Sequence, residues 1–408
     1  MLAVHLKSEK LELTEESLRE MESLATTLNF ELIGKEYQSR GTPDSRSYIG
    51  SGKLEEVKGI VEDKNVNLVL FDHELSPNQG KFLETYLGCM VWDRTQVILE
   101  IFANHARTPE SKDQVELAQL KYMLPRLVGL WAHLDREKGG ISASRGTGEK
   151  QINIDRKLIR TRITRLEKSL KKTASERQTQ SKKRSDCLQV GVVGYTNAGK
   201  TSLMNRLTGA ELLAQNKLFA TLESTTRILD EHSKPSILIS DTVGFIRNLP
   251  HNLVASFRST LSVVKEADIL LHIVDASNPN FEQHIATTDQ VLKEIDAEQI
   301  PQILVFNKID RVEEKMDRLI LAKTYPEAIL TSSHDQDKVE SLREKIKAYF
   351  YQRFIKEDII LPYDQSHLIS KFYQLSTVEE IEYEEDGIHI SHAISKTNKK
   401  ILNSLLKS

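Results

Sequence analysis

Apolar positions along this chain follow two alternating rhythms. From residue 1 to about 105, short apolar runs alternate with stretches of helical spacing. Leu68, Val69, Leu70 and Phe71 read as a buried strand closed by Asp72, and Leu54, Val57, Ile60 and Val61 before it repeat as one face of a helix. Residues 1–112 are therefore predicted to form a small α/β domain. Residues 113–134 (Val115, Leu117, Leu120, Leu124, Leu127, Leu130) and 152–172 (Ile152, Ile159, Ile163, Leu166, Leu170) predict two helices of a hairpin. Residues 173–186 are polar and without period, and read as a linker. From 187 to 354 apolar strands at 188–193, 237–240, 269–274, 303–306 and 328–330 are separated by segments long enough for helices. That pattern predicts an α/β fold, a doubly wound and mostly parallel sheet. Residues 355–408 read as a small α+β appendage, and no internal repeat or low-complexity tract is visible.

Composition narrows the class. The 408 residues are 39% hydrophobic and 28% charged, as in a globular chain of two to four domains. No apolar run is long enough to cross a bilayer, and the first residues lack the pattern of a signal peptide, so no stable membrane insertion is expected. Two cysteines, Cys89 and Cys187, suggest neither a disulfide framework nor a metal site and fit a cytoplasmic location. The net charge of −3 hides an uneven distribution. Residues 151–184 hold twelve Lys and Arg against three acids, whereas Glu379, Glu380, Glu382, Glu384, Glu385 and Asp386 cluster near the end. Between the hairpin helices, residues 135–150 contain Gly139, Gly140, Gly146 and Gly148 among several cations. Such a tip suits an RNA groove or phosphate backbone, but also a simple connecting loop. Ser51, Gly52 and Lys53 precede a helix and could hold an anion or merely form its turn.

The deciding motif is Gly194, Tyr195, Thr196, Asn197, Ala198, Gly199, Lys200 and Thr201, which has phosphate-loop spacing. It follows an apolar strand and runs through Ser202, Leu203 and Met204 into a helix, the context the motif requires. Glycines let the backbone wrap phosphate oxygens, Lys200 reaches the β- and γ-phosphates, and Thr201 offers its hydroxyl to Mg²⁺. Asp241, Thr242, Val243 and Gly244 end the next apolar strand, with Asp241 placed to hold Mg²⁺ through water and the Gly244 N–H to meet the γ-phosphate. Asn307, Lys308, Ile309 and Asp310 end another. A carboxylate at Asp310 accepts from guanine N1–H and N2–H₂, donors that adenine lacks. Asn307 is expected to tie this loop to the phosphate loop, the Lys308 stem to lie along the base, and a backbone N–H at Ser332 or Ser333 to meet guanine O6. In the intervening loop of Phe219, Ala220, Thr221, Leu222 and Glu223, Thr221 is the choice to complete Mg²⁺ coordination, with Thr225 and Thr226 as rivals. Each motif sits at the C-terminal end of a predicted strand, where ligands of open α/β sheets bind.

In these residues the chain resembles the HflX family of translation-associated GTPases. The likeness extends to residues 47–56, to Phe71, Asp72, His73, Glu74, Leu75, Ser76 and Pro77, to Asp93, Arg94, Thr95 and Gln96, and to residues 114–122. It implies binding to the large ribosomal subunit and its rRNA, separation of stalled ribosomes into subunits, and GTP hydrolysis stimulated by the ribosome; no DNA partner is implied. Two departures stand out: Thr147 and Lys150 stand where the family's glycine loop has proline and threonine, and Glu223 and Ser224 where its switch has Asp and Pro.

Many GTPases orient the attacking water with a glutamine just after the Asp241-to-Gly244 motif; here Phe245 stands in that place. Catalysis then rests on Lys200, Thr221 and Gly244, completed by the ribosome or by K⁺ held near Asn197, the position that serves this purpose in related potassium-dependent GTPases. A GTP-regulated rRNA-binding assembly factor with little turnover is the alternative. A third reading makes Ser51, Gly52 and Lys53 a second nucleotide site in an ATP-driven RNA remodeller. His105, His133 and His272 lack metal-ligand spacing, and Trp92 and Trp131 read as core or interface.

Overall fold

A computed structural model describes residues 1–8, 10–127, 147–182, 187–209, 218–219, 224–230, 233–247 and 261–406. The chain divides into two compact units: Met1–Thr173 with Lys217–Leu222 and Asn248–Phe257, and Ala174–Asn216 with Glu223–Arg247 and Arg258–Ser408.

In the first unit, β1 (Leu2–Leu6), β2 (Glu36–Arg40), β3 (Leu68–Phe71) and β4 (Met90–Asp93) form a parallel sheet of order β2-β1-β3-β4. Parallel strands need crossovers, supplied by α1 (Leu11–Thr27), α2 (Ser51–Asp63) and α3 (Pro77–Leu87). Leu2, Val4, Leu54, Val57, Val69, Phe71, Leu83 and Val91 close the core between strands and helices. The helices start where the sequence signals it. Ser76 caps α3 in a reciprocal capping box with Gln79 ahead of Pro77, and Asp93 and Thr108 cap α4 (Arg94–His105) and α5 (Pro109–Met123). Helix α6 (Thr147–Lys182) is 36 residues long. It passes through most of the segment expected to be a linker, because Ala174, Glu176, Arg177, Gln178 and Gln180 favour helix and neither proline nor glycine interrupts them.

The second unit is built on a six-stranded sheet of order β10-β9-β8-β5-β7-β6. Its strands are β5 (Leu188–Gly194), β6 (Thr226–Asp230), β7 (Ile237–Asp241), β8 (Ile269–Asp275), β9 (Gln302–Asn307) and β10 (Ile329–Leu330). All pairings are parallel except β6 with β7. β5 and β8 are buried nearly throughout, as central strands covered on both faces must be. The helices are α7 (Lys200–Thr208), the short α8 (Ser262–Lys265), α9 (Phe281–Glu294), α10 (Lys315–Thr324) and α11 (Gln336–Tyr351). Leu203, Met204 and Leu207 of α7 and Val339, Leu342 and Ile346 of α11 pack with Val190, Ile239, Leu271 and Ile273 of the sheet. Beyond them an antiparallel sheet of β11 (Ile355–Leu361), β12 (Thr377–Glu384) and β13 (Gly387–Ile394) carries α12 (Ile369–Leu375) and α13 (Lys396–Leu405). Among the described residues, no helix is long and apolar enough to cross a membrane.

Candidate nucleotide site

The phosphate loop joins the end of β5 to α7. Gly194 has φ 145° and Gly199 φ 89°. A Cβ on Gly194 would fall on the Ile273 carbonyl, and one on Gly199 on the Asn307 side chain, so both positions require glycine for conformation and for close approach. Asn197 also has positive φ and is exposed, whereas Ala198 and Thr196 are buried. Lys200 is 7% exposed and donates to the Gly194 and Tyr195 carbonyls at 3.1 and 2.9 Å. Burial pushes its ammonium down to about 8, with Asp241 opposing the fall and Lys308 adding to it. Ser202 follows in the first turn of α7, half-buried.

Asp241 closes β7 and is fully buried. Its carboxylate accepts from the Thr201 hydroxyl at 2.6 Å and from the Thr242 N–H at 3.0 Å. The Thr242 hydroxyl donates to the Val192 carbonyl at 2.6 Å, which pins the start of the next segment to β5. Val243 is buried, and Gly244 lies so close to Lys200 that an added Cβ would stand 2.9 Å from its Nζ. The donor set of Thr201 and Asp241, two hard oxygens side by side, fits Mg²⁺. Phe245 is 1% exposed, its side chain committed to the core.

The Asn307-to-Asp310 loop begins where β9 ends. Asn307 is fully buried, donates through Nδ2 to the Ala198 carbonyl at 2.9 Å and accepts at Oδ1 from the Ser333 N–H at 3.3 Å. One side chain thus joins the phosphate loop to the segment after β10. Lys308, at φ 58°, donates to the Asn197 carbonyl at 2.6 Å and pairs with Asp275 at 2.8 Å. Ile309 is buried and its N–H reaches the Thr331 carbonyl at 3.2 Å. Asp310 is exposed, and donation from the Ser332 hydroxyl holds its carboxyl below the usual carboxylate range. Two contributions escaped the sequence reading. Asp275 is a lone acid at the end of β8 with no motif around it, and Ser332 acts through its hydroxyl where only a backbone N–H was expected.

Ala220, Thr221, Leu222 and Glu223 lie outside the described residues, as do most of the glycine-rich tip, His133 and Trp131. Phe219 belongs to the first unit and is buried, its ring edge-on to Phe102 at 4.7 Å. Thr225 and Thr226 lead into β6, where the Thr226 hydroxyl meets that of Ser240 at 2.8 Å. Elsewhere the candidate side chains meet partners within the protein. Lys53 is paired with Glu36 and Glu56 at 2.6 and 2.8 Å, so its charge is already answered within the first turn of α2 and on β2. Trp92 packs edge-on to Phe30, and His272 is buried in β8, where burial pushes it down to about 4 and keeps it neutral.

Three family profiles match in order: "GTP-binding GTPase N-terminal" over residues 15–103, "GTP-binding GTPase Middle Region" over 105–184, and "50S ribosome-binding GTPase" over 189–308. The chain is 41% identical to the GTPase HflX of Alkalihalophilus pseudofirmus over 94% of its own length and 91% of that protein. It is also 41% identical to the GTPase HflX of Escherichia coli, over 91% of this chain and 88% of that one. The chain belongs to the HflX family of GTPases. A crystal structure of a GTP-binding protein from Sulfolobus solfataricus with GDP aligns over 86% of this chain and 99% of that one, at 26% identity and a TM-score of 0.44. As an HflX-family enzyme the chain binds guanine nucleotide and hydrolyses GTP.

Proposed function

We propose that this GTPase binds the large ribosomal subunit and its rRNA, separates stalled ribosomes into subunits, and turns over GTP when the ribosome completes its site. The observation that carries the reading is the charge of α6. Lys157, Arg160, Arg165, Lys168, Lys171 and Lys172 are exposed and, at 3.6 residues per turn, share an arc of about 140°. Ile159, Ile163, Leu166 and Leu170 take the opposite side. A cationic face of this length suits a phosphate backbone. Arg162 lies off the arc and is held by Glu116 through two hydrogen bonds of 2.7 Å. The family profile described as a 50S ribosome-binding GTPase supports the same partner.

In this reading Lys200 holds the β- and γ-phosphates, the Gly244 N–H meets the γ-phosphate, and Asp310 selects guanine with help from the Ser332 and Ser333 segment. Thr201 and Thr221 would bind Mg²⁺, with Asp241 behind its water, and the ion would supply charge neutralisation on the phosphates. Asn197 would hold K⁺; equal turnover in Na⁺ and K⁺ buffers removes that assignment. The chain works in the cytoplasm. Its parts are an N-terminal domain (1–112), a helical hairpin (113–172), a linker (173–186), a GTPase domain (187–354) and a small C-terminal domain (355–408), with the end of α6 lying inside the nominal linker.

Co-sedimentation with large subunits under GTP, GDP and a non-hydrolysable analogue tests the partner. Binding that favours the GTP forms and is lost on reversing Lys157, Arg160 and Lys168 to glutamate supports it; binding indifferent to that reversal rejects it. Light scattering of intact ribosomes tests splitting. The buried Phe245 favours a second reading, a GTP-regulated rRNA-binding assembly factor with little turnover. Multiple-turnover hydrolysis with and without ribosomes separates the two.

A further inference from the structure

The segment that follows Gly244 is stitched to the phosphate loop by both backbone and side chain. The Phe245 N–H donates to the Gly194 carbonyl at 3.1 Å, and the Thr196 N–H donates to the Phe245 carbonyl at 2.7 Å. These two bonds make a parallel bridge between Tyr195 and Phe245. The side chain of Tyr195 extends it: the Arg247 N–H donates to the phenol oxygen at 2.8 Å. The ring cannot swing away, because it is stacked flat on His284 of α9, with centroids 3.8 Å apart and planes 4° from parallel. Arg247 is anchored to the same helix through its guanidinium, which donates to Gln283. Tyr195 is 7% exposed and Arg247 half-buried, so the bond between them is partly shielded from water.

This arrangement bears on the missing glutamine. Hydrolysis needs the Gly244 N–H at a fixed place against the γ-phosphate. A backbone donor does that only if the chain after it is held still. We propose that Tyr195 is a positioning residue for hydrolysis: its hydroxyl and its stack on His284 clamp residues 245–247 against the phosphate loop and so hold the Gly244 N–H in its working place. The inference rests on the assignment of the nucleotide site made above. The clamp acts on hydrolysis and not on the grip of the nucleotide, since no part of the phenol is needed to hold phosphate or base.

Tyr195→Phe in the full-length chain is the test, because it keeps the ring and its stack and removes the hydroxyl that accepts from the Arg247 N–H. Losing one hydrogen bond that matters in the transition state should slow single-turnover GTP hydrolysis by roughly tenfold. GDP and GTP affinities should stay within about twofold, and the amides of residues 245–247 should exchange roughly tenfold faster with deuterium. His284→Phe, which restores a flat partner, should hydrolyse close to the parent rate, and His284→Ala should not. Hydrolysis by Tyr195→Phe within about twofold of parent overturns the proposal, as does a loss that tracks nucleotide affinity or unchanged exchange at residues 245–247. Failure of Lys200→Ala to weaken nucleotide binding would instead overturn the site assignment itself.

Discussion

Asn307→Ala measures how much of the site depends on one side chain. The substitution removes the 2.9 Å donation to the Ala198 carbonyl and the 3.3 Å acceptance from the Ser333 N–H. Ala198 is 1% exposed, so its carbonyl loses its partner without water to replace it, at about 1–3 kcal/mol. Ser333 is half-buried and its N–H can turn to water, which limits that loss to about 1 kcal/mol. Together the change should lower stability by roughly 2–4 kcal/mol, read in urea as a shifted midpoint with little change in slope. Affinity should fall as well. Asp310 stands three residues on, and re-ordering even one loosened residue on binding costs about 1–2 kcal/mol, or about tenfold in the Kd for GDP. Asn307→Asp sharpens the test: it keeps the acceptor for Ser333 but turns an oxygen toward the Ala198 carbonyl, and it should be no milder than alanine. A stability change under about 0.5 kcal/mol, together with a Kd within about twofold of parent, would refute the claim that this residue couples the two loops.

Three further outcomes follow from other parts of the molecule. Phe245→Gln should not speed hydrolysis, because the position faces the core; it should cost roughly 2–4 kcal/mol in stability, measured by urea unfolding beside a turnover assay. Arg94→Ala removes the ion-pair partner of Asp72, with both side chains 2% exposed and paired at 2.8 Å, and breaks a second ion pair, with Glu20; it should cost about 3–5 kcal/mol and be seen as early proteolysis of the first unit. The Lys200 ammonium, lowered from 10.5 to about 8, carries a definite pH signature. Between those values the unfolded chain holds the extra proton, so the ligand-free protein gains stability as pH rises. Nucleotide binding has the opposite sign. Phosphate prefers the ammonium, so GDP affinity should fall above about pH 8, by at most tenfold per pH unit, and a titration series across that range checks it.

The phosphate loop and the Asp241 and Asn307 motifs were legible because each follows a mostly apolar strand whose C-terminal half is buried, a strong local signal. Features that depend on distant partners were not. Nothing around Asp275 hints that a lysine 33 residues later will meet it. The bond from Arg247 to Tyr195 spans 52 residues, and no periodicity encodes it. The edge strand β6 hides in a polar run because one side of it is open, and its antiparallel pairing with β7 comes from the chain doubling back. The reach of α6 was underestimated for a related reason: without an apolar stripe beyond Leu170, only helix propensity carries it to Lys182.

That helix has a mechanical consequence. Its 36 residues span about 54 Å at 1.5 Å per residue, with no proline or glycine after Gly148 to let it hinge. Within the first unit, whose share of the helix runs to Thr173 and spans about 40 Å, a tilt of roughly 10° at one end sweeps the other through roughly 7 Å. Leverage of this kind turns an adjustment the size of a side chain into a stroke wider than a peptide strand's spacing.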